Sequence, residues 1–114
     1  MSSTVGVVAN KTGIPLTFSV GGVSHGDNPT IENSPLAPDN TAPVFIAMSN
    51  GAGVEGNVLA AGPSGSGASF TLVYDNPVVG SNSGSVTSVS GPYKGTCDVG
   101  SGNDNTNTYT LKPA

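Results

Sequence analysis

The residue types that could do covalent chemistry gather once, at Ser24-His25-Gly26-Asp27, where a nucleophile, a base and an orienting acid stand within four positions. A hydrolytic triad needs those groups to converge from separate elements, with the imidazole held between hydroxyl and carboxylate. Four consecutive residues of one loop do not supply that geometry, and His25 is the only histidine. Cys97 is likewise the only cysteine, placed after Thr96 in a short alternating stretch that suits a small buried thiol. One His and one Cys make neither a zinc set nor an internal disulfide. Glycoside hydrolysis requires two carboxylates facing across a cleft. Seven acids leave many pairs, but with no Trp and few aromatics there is little to line such a cleft. Oxygen ligands for calcium gather at Asp27, Asn28 and Glu32 and again at Asp98, Asn103, Asp104 and Asn105. Neither group has EF-hand spacing, and in turns such side chains ordinarily bond their own backbone. The glycine-rich segments lack the Lys of a phosphate loop. The expectation is a protein without catalysis or cofactor and with no assigned metal site, calcium staying open.

The elements that must position any site follow from composition. Ser, Thr, Asn and Gly make up close to half of the 114 residues, and Arg, Gln and Trp are absent. Helix formers are scarce, Val and Thr favour strands, and Gly, Pro and Asn favour turns. Hydrophobic residues at 35% with only 9% charged residues argue for a folded chain, not a disordered acidic one. A length of 114 residues suits one domain, residues 1–114. The net charge of −4 leaves no basic surface for a phosphate backbone, so nucleic acid is not an expected partner. It also leaves no Lys/Arg cluster for an anionic leaflet. No stretch reaches the roughly 18 apolar residues of a transmembrane helix, and no signal peptide is visible at residues 1–8. The location expected from this is the cytosol, or export without a visible signal.

Period-two alternation between turn signals marks the strands. Val5 and Val7 open the pattern. Leu16, Phe18 and Val20 continue it after the Asn10-Lys11-Thr12-Gly13 turn, and Gly21-Gly22 is read as its stop. Residues 24–40, with Pro29, Pro35 and Pro38, read as a long irregular connection that wraps an edge or crosses between sheets. Val44, Ile46 and Met48 form the next core face, ended by Asn50-Gly51, a pair suited to a type I′ hairpin, with Val54, Gly56 and Val58 returning. Phe70, Leu72 and Tyr74 give the clearest strand, stopped at Asp75-Asn76-Pro77. Weaker strands at 86–89 and 95–99 flank Gly91-Pro92, and residues 106–111 close the chain with Tyr109 and Leu111 on one face. About eight short strands predict an all-β, single-domain antiparallel β-sandwich. Phe18, Ile46, Phe70, Leu72, Tyr109 and Leu111 are its expected core, with Phe45 and Tyr93 outside it.

The run Phe70-Thr71-Leu72-Val73-Tyr74-Asp75-Asn76-Pro77-Val78-Val79-Gly80-Ser81-Asn82, preceded by Glu55-Gly56-Asn57-Val58, resembles the middle of aegerolysins. There a Gly-rich turn leads to a strand and then to an aromatic-Asp-x-Pro-Trp-Gly-Ser loop. Asn10-Lys11-Thr12-Gly13 followed by Leu16 is similar to that family's opening turn. The likeness covers about a third of the chain and extends residue by residue to Tyr74, Asp75, Pro77, Gly80 and Ser81. It implies a compact acidic β-sandwich, often fungal or bacterial, that recognises membrane lipids and recruits a pore-forming partner. Val78 and Val79 stand where the family would carry Trp, which puts lipid insertion in doubt.

Elimination of chemistry, with long loops rich in Asn, Asp and Ser, leads to a non-catalytic recognition protein that binds lipid head groups or glycans. The alternative is a structural, storage or coat-type protein with no ligand site. The residues expected at the recognition surface are Tyr74, Asp75, Asn76, Val78, Val79, Ser81 and Asn82, joined by Tyr93 as an exposed ring beside Gly91-Pro92. Self-association as a homo-oligomer stays open. Val78 and Val79 have two fates at the loop tip, an inward plug, which is preferred, or an outward apolar contact.

Overall fold

In the computed structural model, which describes residues 2–114, the chain is all β without helix among those residues. Nine strands follow one another: β1 (Ser2–Asn10), β2 (Thr17–His25), β3 (Thr30–Ile31), β4 (Thr41–Ser49), β5 (Val54–Ala61), β6 (Ser69–Asn76), β7 (Ser83–Ser90), β8 (Tyr93–Asp98) and β9 (Asp104–Pro113). They form a five-stranded sheet ordered β3-β4-β1-β9-β8 and a four-stranded sheet ordered β2-β5-β6-β7. The inward faces meet in one core built on Leu16, Phe18, Phe45, Val58, Phe70, Leu72, Tyr74, Tyr109 and Leu111. The β-sandwich expected from the alternation is the fold. Strand pairing is antiparallel except between β1 and β9, which run parallel at the centre of the larger sheet. The ninth strand is the two-residue β3, inside the segment read as a connection; it pairs with β4 after the chain has crossed from the smaller sheet to the larger.

Four local expectations are corrected. Gly21-Gly22 does not stop β2, which continues to His25 because its pairing with β5 absorbs two register shifts after Val20. Asn50-Gly51 is not a hairpin turn, since β4 and β5 belong to different sheets and the chain arches between them. The core face of β4 is the other one. Gly6 pairs with Phe45 and Val7 with Pro43, so Val44 is the extra residue of a β-bulge. A bulge reverses the parity of every later side chain. Val44 and Phe45 are therefore both buried, while Ile46 turns half outward and Met48 is exposed. On β1, Thr4, Gly6 and Val8 face the core in place of Val5 and Val7. Phe45 explains this choice, because its ring lies directly over Gly6, where any Cβ would collide with it.

Strands of eight to ten residues span about 30 Å, which matches a molecule of 41 × 22 × 21 Å elongated along them. Both lateral seams are covered. On one side β7 runs on into β8. On the other β3 lies beside β2, with a bridge between Leu16 and Leu36.

Candidate functional site

One end of the sandwich gathers the β6–β7 loop (residues 77–82), the β8–β9 loop (residues 99–103), the β4–β5 arch (residues 50–53) and the end of β2 at His25. Asparagines fix these loops to the sheets. Asn76 closes β6 with its side chain turned inward, and its Nδ2 donates to the carbonyl oxygens of Ser3 at 3.0 Å and Asn103 at 2.8 Å. One side chain thus ties the smaller sheet to the start of β1 and to the β8–β9 loop. Asn82 Nδ2 donates to the carbonyls of Gly102 at 3.1 Å and Gly100 at 3.4 Å, which links the two long loops. Gly53 lets the arch press on the backbone of Pro77 and Val78, leaving no room for a Cβ. Gly80 takes a φ of 106°, a conformation L side chains rarely adopt.

Between the two loops lies a groove of about 320 Å³, lined by Asn76, Pro77, Val78 and residues 80–82 on one wall and by residues 99–103 on the other. Among the described residues, none that lines it is titratable. Its surface consists of carbonyl, amide and hydroxyl groups with Val78 and Val99 as apolar patches. Val78 is 62% exposed and Val79 87% exposed. The preferred inward plug is therefore overturned. The short loop is pinned by Asn76 and Asn82 at its two ends, and the valines stand outward at its crest.

The other expected site residues divide. Ser81 is exposed and Asn82 half-buried on the same loop, and Asp75 faces outward from β6. Tyr74 has no exposed surface; its ring stacks at 5.1 Å from Phe45, and it belongs to the core. Asn76 is also buried and acts as a brace. Tyr93 lies at the opposite end of the molecule, half-buried with its ring edge-on to Phe70 at 5.9 Å. Six residues of β6 separate Phe70 from Asn76, about 20 Å of strand, so Tyr93 does not join this site.

Sequence reading missed what pairing brings together. Glu55 and Asp75 are direct cross-strand partners on β5 and β6, and His25 on β2 is the partner of Glu55. His25 Nε2 stands 3.5 Å from Glu55 Oε1, so its acidic neighbour comes from another strand and not from Asp27. Alternation already placed Glu55 and Asp75 on outward positions, but which strands adjoin was not in the pattern. Of the oxygen-rich groups, Asn105 turns inward to Asn107 and Asp104 accepts the Ser3 hydroxyl at 2.8 Å. Among the described residues, no three His, Cys, Asp or Glu side chains come together to hold a metal ion.

Compared with known proteins, the chain matches no protein-family model and no curated protein. Function must be argued from the groups themselves.

The interior beneath this end is polar. Tyr109 donates its hydroxyl to the Val73 carbonyl at 2.7 Å and accepts from Asn107 Nδ2 at 3.2 Å. The Tyr74 hydroxyl has no hydrogen-bond partner among the described residues, and burial pushes it from its ordinary 10.0 up to about 12. Burial raises the half-buried Cys97 thiol from 9.0 to about 11, against a lowering contribution from the Tyr109 hydroxyl. A thiol held so far up has little thiolate at neutral pH, which makes Cys97 a poor nucleophile. Folded values above ordinary ones mean that the unfolded chain releases its protons first. Stability contributed by the neutral forms is complete below about pH 9 and is lost as pH rises through 9–11 for Cys97 and 10–12 for Tyr74. Urea midpoints measured with reductant should therefore fall steadily between pH 8.5 and pH 11.5. A flat profile would show both groups ionising as freely in the native state as in the unfolded chain.

Proposed function

We propose that the loop end is a non-catalytic recognition surface for an uncharged or zwitterionic lipid head group, with Val78 and Val79 as its apolar contact with the membrane. The observation that carries this reading is the pairing of two adjacent exposed valines with a charge-free groove of hydrogen-bonding groups. Most buried or exposed apolar residues need no explanation singly. Two at the crest of a braced loop, beside a polar recess, are the arrangement a shallow interfacial contact requires. Asp75 and Asp104 at the same end disfavour anionic lipid, so the head group should carry no net negative charge. The aegerolysin likeness of residues 70–82 points in the same direction, with valines in place of Trp. A neutral sugar is the second reading, favoured by the Asn, Ser and carbonyl lining of the groove. Its weakness is that the ring once expected to stack on a sugar, Tyr93, lies at the other end.

The test is flotation with phosphatidylcholine and phosphatidylcholine/phosphatidylserine vesicles, run beside a neutral glycan array. Binding should favour the uncharged vesicle surface. The double substitution Val78→Asp with Val79→Asp should reduce it at least tenfold while changing stability by no more than about 0.5 kcal/mol, as expected of exposed positions. Undiminished binding by a well-folded double variant would remove this loop from the contact.

A further inference from the structure

The outer face of the five-stranded sheet takes no part in the loop site. We infer that it is a self-association surface, on which a second copy of this chain packs face to face with its strands running the opposite way. The inference is independent of the head-group reading.

The face has an apolar centre. Because Thr4, Gly6 and Val8 point into the core, Val5 and Val7 point outward from β1, the middle strand of the sheet. Pairing sets Ile46 directly beside Val5, Pro43 beside Val7 and Met48 beside Ser3. The bulge that buries Phe45 is what turns Ile46 and Met48 to this side. Met48 is 43% exposed, and Val5, Val7 and Ile46 are half-buried. On the other flank Thr106 and Thr108 of β9 stand beside the two valines and add methyl groups to the stripe. The smaller sheet offers no such stripe: Leu59, 42% exposed on its outer face, lies between Ser19 and Thr71. A contiguous apolar patch marks a contact surface where single exposed residues do not.

Charge decides the occupant and its orientation. Lys94 and Lys112 are cross-strand partners at one end of the face, with Lys11 just past β1 at that end. Asp104 opens β9 at the other end, while Asp98 closes β8 and Glu32 lies just past β3 on the two lateral margins. Lys112 and Asp104 are eight residues apart on one strand, about 27 Å. A closed pair of identical faces requires a two-fold axis in the plane between them. If that axis ran along the strands, lysine would stack on lysine and Asp104 on Asp104. An axis across the strands lays the lysine end of each copy over Asp104 of the other and keeps Val5, Val7 and Ile46, near mid-strand, against their own counterparts. The face is thus complementary to itself turned end for end.

Five strands about 4.8 Å apart and about 27 Å long outline roughly 500 Å² per copy, or about 1,000 Å² in total, the lower bound for a specific interface. The pair is therefore reversible. In it the two valine crests lie at far ends, each beside the partner's lysines, so the separation of charge along the molecule belongs to the single chain.

The experiment is sedimentation equilibrium of the whole protein over a concentration series. A monomer–dimer equilibrium is expected, weakened about tenfold or more by Ile46→Lys and several-fold by Met48→Lys, whose greater exposure keeps the test valid should the first variant be unstable. Leu59→Lys, on the opposite sheet, should leave it unchanged. Lys112→Glu and Asp104→Lys should each weaken the dimer several-fold, and the two together should restore it, because each copy again meets the opposite charge. Melting temperatures close to that of the parent control for folding. A chain that stays single up to about 1 mM, a dimer indifferent to Ile46→Lys and Met48→Lys, or an exchange variant no better than its single parents would overturn the inference.

Discussion

Asn10→Ala is expected to cost about 3–5 kcal/mol, a large share of the 5–15 kcal/mol that holds a typical domain together. Asn10 is fully buried at the end of β1, and all of its side-chain polar capacity is used. Nδ2 donates to the carbonyls of Ile14 at 2.9 Å, Leu36 at 3.1 Å and Ala37 at 3.3 Å. Oδ1 accepts the Thr12 amide at 3.1 Å and the Thr12 hydroxyl at 2.6 Å. One side chain thus closes the β1–β2 turn and fastens it to the long connection that crosses between the sheets. Alanine would leave the Thr12 amide without an acceptor in a site water does not reach, at about 1–3 kcal/mol, and would remove further hydrogen bonds at about 1 kcal/mol each. Asn10→Asp discriminates between a volume effect and a bonding effect. It keeps the shape and the acceptor but turns an oxygen toward three carbonyls, so at neutral pH it should destabilise at least as much as alanine. Equilibrium urea unfolding of both variants measures this; an aspartate variant as stable as the parent would assign Asn10 a packing role only.

Phe45→Ala should cost a similar amount, about 3–5 kcal/mol, through lost burial and the cavity left behind. The ring is fully buried, with centroids 5.1 Å from Tyr74 and 6.1 Å from Tyr109, and it covers Gly6 on the adjacent strand. Gly6→Ala forces a methyl group into that ring and should cost about 1–3 kcal/mol by overpacking. In the double variant the two losses should not add, because the small side chain at 45 relieves the overlap that makes the methyl at 6 harmful. Strict additivity in a double-mutant cycle would mean that the glycine serves the backbone of β1 and not the ring.

Those two positions show where sequence reading succeeds and where it stops. Phe70 and Leu72 read as core by simple alternation, because β6 runs unbroken between two neighbours in its sheet. Phe45 was placed outside it by the same rule, because a single extra residue at Val44 inverts the pattern and leaves no local mark in composition. Asn10 read as a turn residue, which it is, but its burial follows from Leu36 and Ala37 arriving from 26 and 27 positions away. The site was legible in a similar measure. Residues 77–82 stood out by their turn chemistry, and they do form the exposed loop. The companion wall at residues 99–103 and the row of His25, Glu55 and Asp75 depend on strand order, which alternation does not encode. Tyr93 reads as an exposed ring that could join the loop, because it follows Gly91-Pro92. Strand direction puts them at opposite ends.

The placement of the lysines at one end and of Asp27, Glu55, Asp75 and Asp104 at the other has a consequence for how the molecule meets anything large. At physiological ionic strength electrostatic influence decays over about 8 Å, a fraction of the 41 Å long axis. The two tips are therefore electrically deaf to each other, and the net charge of −4 describes neither. An approaching surface feels whichever tip comes first. A negatively charged sheet would draw in the lysine tip and leave the valine crest pointing away into solution, whereas a neutral one exerts no such torque and lets the crest land. Polarity of this kind selects by orientation, before any contact has formed.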